Sequence, residues 1–200
     1  MKFELYRKVD LIIFGILMVF SSVLSLFLFS NKSYQFYICF TNLLIYITMI
    51  RWKYFALIPI AINQIIIAVV QIEFFEIDYA LSIVVNLFNL FLIWIIPVLL
   101  DKKIRKIKNK PIILFLMFIL TNILIGIGRT IGLLVLGDTN ILGNLIFYLI
   151  NQELFSMLIS LVLLGFLKNI DNLLVDVKEY LLELNEEDKF EKIGGSDGGV

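Results

Sequence analysis

At 200 residues, 60% of them hydrophobic and 18 of them phenylalanine, the chain has more apolar side chain than a soluble core of that size can cover, and its long uncharged runs call for lipid. Its 17 basic and 17 acidic residues balance, which gives no case for a nucleic-acid partner. The absence of histidine removes His-based metal sites and His general bases, and with only Cys39 no internal disulfide can form.

Six apolar runs follow in chain order: Leu11 to Phe29, Tyr34 to Ile50, Tyr54 to Gln71, Tyr79 to Leu100, Pro111 to Leu136 and Ile141 to Leu167. Each approaches the roughly 20 residues that a helix needs to cross a bilayer core, and none alternates with the period of a strand. The first run follows Lys2, Arg7 and Lys8 as a signal peptide would, but it lacks a small-residue cleavage site and reads as a retained span. The second and third are joined only by Arg51, Trp52 and Lys53, which demands a tight hairpin. Pro59 and Pro97 lie within spans, where a kink is tolerated if the freed carbonyls find partners.

Of the 17 Lys and Arg residues, all but Lys32 and Arg129 fall on one side once the N-terminus is placed in the cytoplasm. The basic loop from Asp101 to Lys110 lies on that side, whereas Glu73, Glu76, Asp78 and Asp138 lie on the other. The expected fold is therefore all-α: a polytopic membrane protein of six transmembrane helices over residues 1–168, with both termini cytoplasmic. A cytosolic amphipathic helix is expected over 169–188, from the spacing of Ile170, Leu173, Leu174, Val177, Leu181 and Leu184, and a flexible tail over 189–200.

Two formal charges, Arg129 and Glu153, sit inside the spans, where charge is costly and calls for a reason. At about 1.5 Å per residue, Arg129 lies roughly 27 Å from the cytoplasmic start of the fifth span and Glu153 roughly 18 Å below the outer start of the sixth. Asn86 and Asn89 share a face of the fourth span, and Asn144, Tyr148, Asn151 and Gln152 stand on the outer half of the sixth. Polar capacity concentrated in the outer half suits an externally open binding cavity lined by these eight residues. An Arg there favours a solute bearing carboxylate or phosphate. The alternative is structural: an ion pair between Arg129 and Glu153, with the asparagines bonding helix to helix. Gly128 and Gly132 read as a close-packing face rather than part of a nucleotide fingerprint. No HExxH, paired-aspartate, Cys/His or Walker A arrangement is present, so no enzyme, metal site or cofactor is expected.

Six spans with both ends inside, the basic-aromatic turn from Ile50 to Lys53, the basic loop between spans four and five, and a last span running from Phe147 to Lys168 resemble the substrate-binding S component of energy-coupling factor transporters. That resemblance implies a bacterial cytoplasmic-membrane subunit that binds a vitamin-like small-molecule substrate. A transmembrane coupling subunit and two ATPase subunits would be its partners, with the lipid bilayer around it. It further implies docking through small residues of the first span, for which Ser21, Ser22 and Ser25 stand where the family often has alanines. A different class is an adaptor or immunity-type membrane protein acting through its cytosolic tail and basic loop.

Overall fold

The computed structural model describes residues 2–29, 38–96, 111–170, 173, 174 and 177. The described residues are helical with short connections, and no strand occurs among them. Helix α1 spans Lys2–Phe29, α2 Thr41–Trp52, α3 Leu57–Phe75 and α4 Tyr79–Ile93. Helix α5 spans Pro111–Val135, α6 Ile141–Phe147 and α7 Leu154–Leu167. A 3-10 turn, Lys53–Ala56, joins α2 to α3, and a π-helical turn, Tyr148–Glu153, joins α6 to α7.

Three helical runs, Glu4–Leu28, Thr41–Phe75 and Ile112–Val135, are long and apolar enough to cross a membrane. The pair Ile141–Ile150 and Leu154–Leu167, bent by 49°, makes a fourth. The run from Thr41 to Phe75 is not straight. Lys53 has φ 48° and ψ −119°, outside any helical geometry, and the chain reverses there. The proof of reversal is Ser22 on α1, whose hydroxyl lies 2.6 Å from Thr41 Oγ1 and 3.2 Å from Asn63 Oδ1. In a straight helix those two partners would stand about 33 Å apart, far beyond the reach of one serine. The hairpin is open, because both arms pack on α1 more than on each other.

Neighbouring helices alternate in direction. Ser82 and Asn86 of α4 meet Gln71 near the end of α3, and Gly128 and Gly132 of α5 meet Asn89 and Val85 of α4. At the opposite end, Arg51 donates through Nε to Asp10 at 2.9 Å and through Nη1 to the Leu173 carbonyl at 3.0 Å, and the Trp52 indole N–H also bonds Asp10. Val177 is buried and Leu174 packs against the core, so the chain just beyond α7 returns to the end of the bundle where α1 begins. The rest of the expected tail, with residues 97–110 and 30–37, lies outside the described residues.

The hydropathy boundaries shift for identifiable reasons. Helix α1 begins at Lys2 rather than Leu11, its first turns held by Asp10 on Arg51 and by the Arg7 guanidinium over the Phe55 ring at 4.1 Å. Helix α2 begins only at Thr41, although apolar character starts earlier. Ahead of it, the Cys39 N–H donates to Ser156 Oγ at 2.9 Å and the Phe40 N–H to Ser21 Oγ at 3.1 Å. Side chains from α1 and α7 thus satisfy backbone donors that an earlier helix turn would otherwise need to pair.

The α4–α5 seam is the most extensive helix contact. A Cβ on Gly128 would lie 2.9 Å from the Phe88 carbonyl oxygen, and one on Gly132 2.9 Å from the Val85 Cα. Both obstacles are backbone, which cannot swing aside. We expect Gly132→Val to push the helices apart and lower stability by about 1–3 kcal/mol, read from unfolding in mild detergent. Unchanged stability of Gly132→Val would contradict this packing.

Candidate functional site

The π-helical turn carries the charge that the bundle must accommodate. Hydrogen bonding i→i+5 stacks residues five apart, which an ordinary helix turns away from each other, and here it brings Tyr148 and Glu153 to one side. The Tyr148 hydroxyl donates to Glu153 Oε1 at 3.0 Å. Asn42 Nδ2, reaching from α2, donates to Glu153 Oε2 at 3.1 Å and to Asn122 Oδ1 on α5 at 3.0 Å. Asn122 completes itself by donating through Nδ2 to the Phe118 carbonyl at 2.9 Å. Glu153, Tyr148 and Asn122 are all buried.

Arg129 approaches the same tyrosine from the other side. Its guanidinium carbon sits 5.2 Å from the centroid of the Tyr148 ring, a cation–π contact, and the residue is half-buried. Gly126, one turn earlier on the same face of α5, makes this possible: a Cβ there would come within 2.9 Å of the ring. Arg129 and Glu153 are not in ion-pair contact among the described residues. Tyr148 separates them, holding the carboxylate by its hydroxyl and the guanidinium by its face.

The other expected site residues divide. Asn86 is buried and donates to Gln71 Oε1 at 3.1 Å and to the Ser82 carbonyl at 2.7 Å, which binds α4 to α3 and leaves its amide group engaged. Asn89 packs against Gly128 with its Oδ1 buried and unpaired. Asn144 stands at the rim, donating to Asp138 Oδ2 at 2.8 Å. Asn151 and Gln152 lie on the π-helical turn, and their side chains fall outside the described residues. The structure thus brings Tyr148, Glu153 and Arg129 together and sets Asn86, Asn89 and Asn144 elsewhere.

The three serines of α1 face inward. Ser22 and Ser25 are buried, Ser22 within reach of Thr41 and Asn63 and Ser25 donating to the Ile38 carbonyl at 2.8 Å. Ser21 accepts from the Phe40 N–H. Their small size serves the approach of α1 to α2 and α3 within the chain.

Asn42 and Asn122 were missed as site members by reading the sequence. Each is a single amide in an apolar run, with no neighbour in sequence to mark it. The available signal was spacing: Asn122 precedes Arg129 by seven residues, two turns along one face of α5. A groove of about 700 Å³ between α1 and α3 lies away from this network and is lined by apolar side chains.

No family model, no curated protein and no solved structure matches the chain.

Because Asn42 serves two acceptors and Tyr148 one, Asn42→Ala should cost more stability than Tyr148→Phe, which should lose about 1 kcal/mol. Unfolding of the two variants in the same detergent checks the order, and the reverse ranking would contradict the network. At the rim, the Asn140 N–H and the Asn144 amide hold the Asp138 carboxyl below its usual value. A depressed carboxyl contributes above its ordinary value and loses that contribution as the pH falls through the folded one. Hydrogen exchange across 138–144, corrected for intrinsic rates, should therefore accelerate in acid for the native chain and show no such step in Asp138→Asn.

Proposed function

We propose that the chain is a membrane-embedded solute-binding protein of the energy-coupling factor S-component type, taking a small, partly anionic solute beside Arg129 and Tyr148. One observation carries the reading. Two opposite charges stand inside an apolar bundle without pairing, held apart by a tyrosine that each engages differently. A purely structural pair would gain most by direct contact, since a charge in low dielectric is costly until it is matched. Keeping them apart leaves the half-buried guanidinium with donors to offer a carboxylate or phosphate.

In this reading Glu153 orients the Tyr148 hydroxyl and, through Asn42, ties the site to α2 and α5. The termini and the Asp10–Arg51 end face the cytoplasm, and the site opens outward. A coupling subunit and two ATPases supply the energy, because the chain carries no nucleotide-binding sequence of its own. Since Ser22 and Ser25 are committed to internal packing, docking of a coupling subunit would use the outward face of α1 instead. The adaptor reading draws on the tail stripe, yet Leu174 and Val177 of that stripe already pack on the bundle.

Binding of candidate micronutrients to the purified chain in nanodiscs, followed by calorimetry or retained mass, tests this. Arg129→Ala should weaken an anionic solute by about tenfold or more, as loss of a charge-assisted bond does. Ser160→Ala, on α7 outside the Arg129–Tyr148–Glu153 group, should leave affinity within about twofold. Equal affinity in both variants removes Arg129 from the site.

A further inference from the structure

Helix α6 is seven residues long and none of them is buried. Ile141, Leu142, Ile146 and Phe147 are exposed, and in a bilayer lipid solvates such side chains about equally well wherever the helix stands. Burial therefore does little to fix α6. Helix α7 is different: Ser156, Ser160 and Leu164 are buried, and Ser156 Oγ accepts the Cys39 N–H.

Between the two lies the π-helical turn Tyr148–Glu153, with a bend of 49°. Such turns inside helices are frequent at functional sites. At the other end of α6, Gly137 has φ 95° and nothing within 4 Å of an added Cβ, a glycine turn with room around it. The polar contacts at the start of α6 are local and travel with it: the Gly143 N–H donates to Asn140 Oδ1 and Asn144 donates to Asp138. What ties α6 to the interior is its last residue, Tyr148, with Leu145 beside it over Gly126. The Tyr148 hydroxyl donates to Glu153 and its ring lies under Arg129. Both contacts depend on the π register. In an unbroken α-helix residues five apart stand about 140° round the axis, which turns Tyr148 away from Glu153.

We propose that α6 is a gate over Arg129, latched by Tyr148 and hinged at the π-helical turn. In the closed state the turn keeps the tyrosine between Arg129 and Glu153. The gate opens when the turn reverts to α-helical register, straightening α6 onto α7 and lifting the ring from the guanidinium, while the Gly137 turn takes up the change in length and rotation. Two contacts of ordinary strength hold the latch, so the open state stays within thermal reach. That the gate admits a solute rests on the reading of Arg129 as the solute's anchor, whereas the movement itself does not.

The test is double electron–electron resonance on the full chain in nanodiscs, with Cys39→Ser as background. Spin labels are placed at Leu142→Cys on α6 or Val162→Cys on α7, each paired with Tyr79→Cys on α4 or Leu24→Cys on α1, all exposed positions. Straightening the 49° bend carries Leu142, about 12 Å from the turn, through roughly 10 Å. The native chain should show a major distance from position 142 and a minor one displaced by several ångströms. Tyr148→Ala, which removes both latch contacts, should raise the ratio of minor to major about tenfold or more, and Tyr148→Phe, which keeps the ring, should fall between. Distances from position 162 should be the same in all three. One unchanged distance from position 142 in the native chain and both variants would overturn the gate, and so would an equal change at 162, which would place the movement outside α6. Should Tyr148→Ala fail to fold, the native distribution and Tyr148→Phe still decide it. Equal solute affinity in Arg129→Ala and Ser160→Ala would remove the solute reading and leave these distances standing.

Discussion

A carboxylate held inside an apolar bundle sets the terms for the rest of this structure. Glu153 cannot be left bare in hydrocarbon, because an unmatched charge there costs several kcal/mol on any scale. The chain answers with two donors, the Tyr148 hydroxyl on the same π-helical turn and the Asn42 amide from α2, and behind Asn42 an acceptor, the Asn122 carbonyl oxygen from α5, holds that amide in place. Serving one acidic group therefore draws α2, α5 and the last helix pair together. The glycines of α5 follow from the same demand. Gly126 admits the Tyr148 ring, while Gly128 and Gly132 let the other side of α5 settle against α4.

The two ends of the bundle solve different problems. At the end where α1 begins, Asp10, Arg51, Trp52 and Tyr6 form a polar clasp that also captures the Leu173 carbonyl, so the start and exit of the described chain are tied together. This clasp is built of well-matched partners, as an element that fixes geometry should be. The Arg129–Tyr148–Glu153 group is different in kind, since its charges are spread along a tyrosine and its cation is half-buried. That difference is the physical basis on which binding is proposed for the second group and not for the first.

Much of the architecture was legible in the sequence, because hydrophobic run length reads the bilayer directly. The all-helical class, the hairpin forced by the short Arg51–Lys53 connection, and the close approach at Gly128 and Gly132 all follow from residue type and spacing. What hydropathy could not supply was pairing. It placed Asn86 in a binding cavity, whereas a glutamine on α3 and its own helix take up its amide. It gave Ser22 and Ser25 to a partner, whereas they bond within the chain. It set an Arg129–Glu153 ion pair as the alternative to ligand binding and placed Tyr148 in the cavity, but it did not show that Tyr148 engages both charged groups. Asn42 went unseen because a lone amide in an apolar run has no signature until its partner from another helix stands beside it. The π-helical turn, which alone brings Tyr148 and Glu153 to one side, has no sequence signal of comparable strength.

The central claim is that Arg129 lies beside an outward-opening space rather than in sealed packing. It is tested most directly by placing a single cysteine at that position, Arg129→Cys with Cys39→Ser, and treating oriented membranes with a charged, impermeant thiosulfonate. The account predicts labelling from the side opposite the Asp10–Arg51 end without permeabilisation. Labelling confined to the Asp10–Arg51 side, or none until the protein is unfolded, would contradict it.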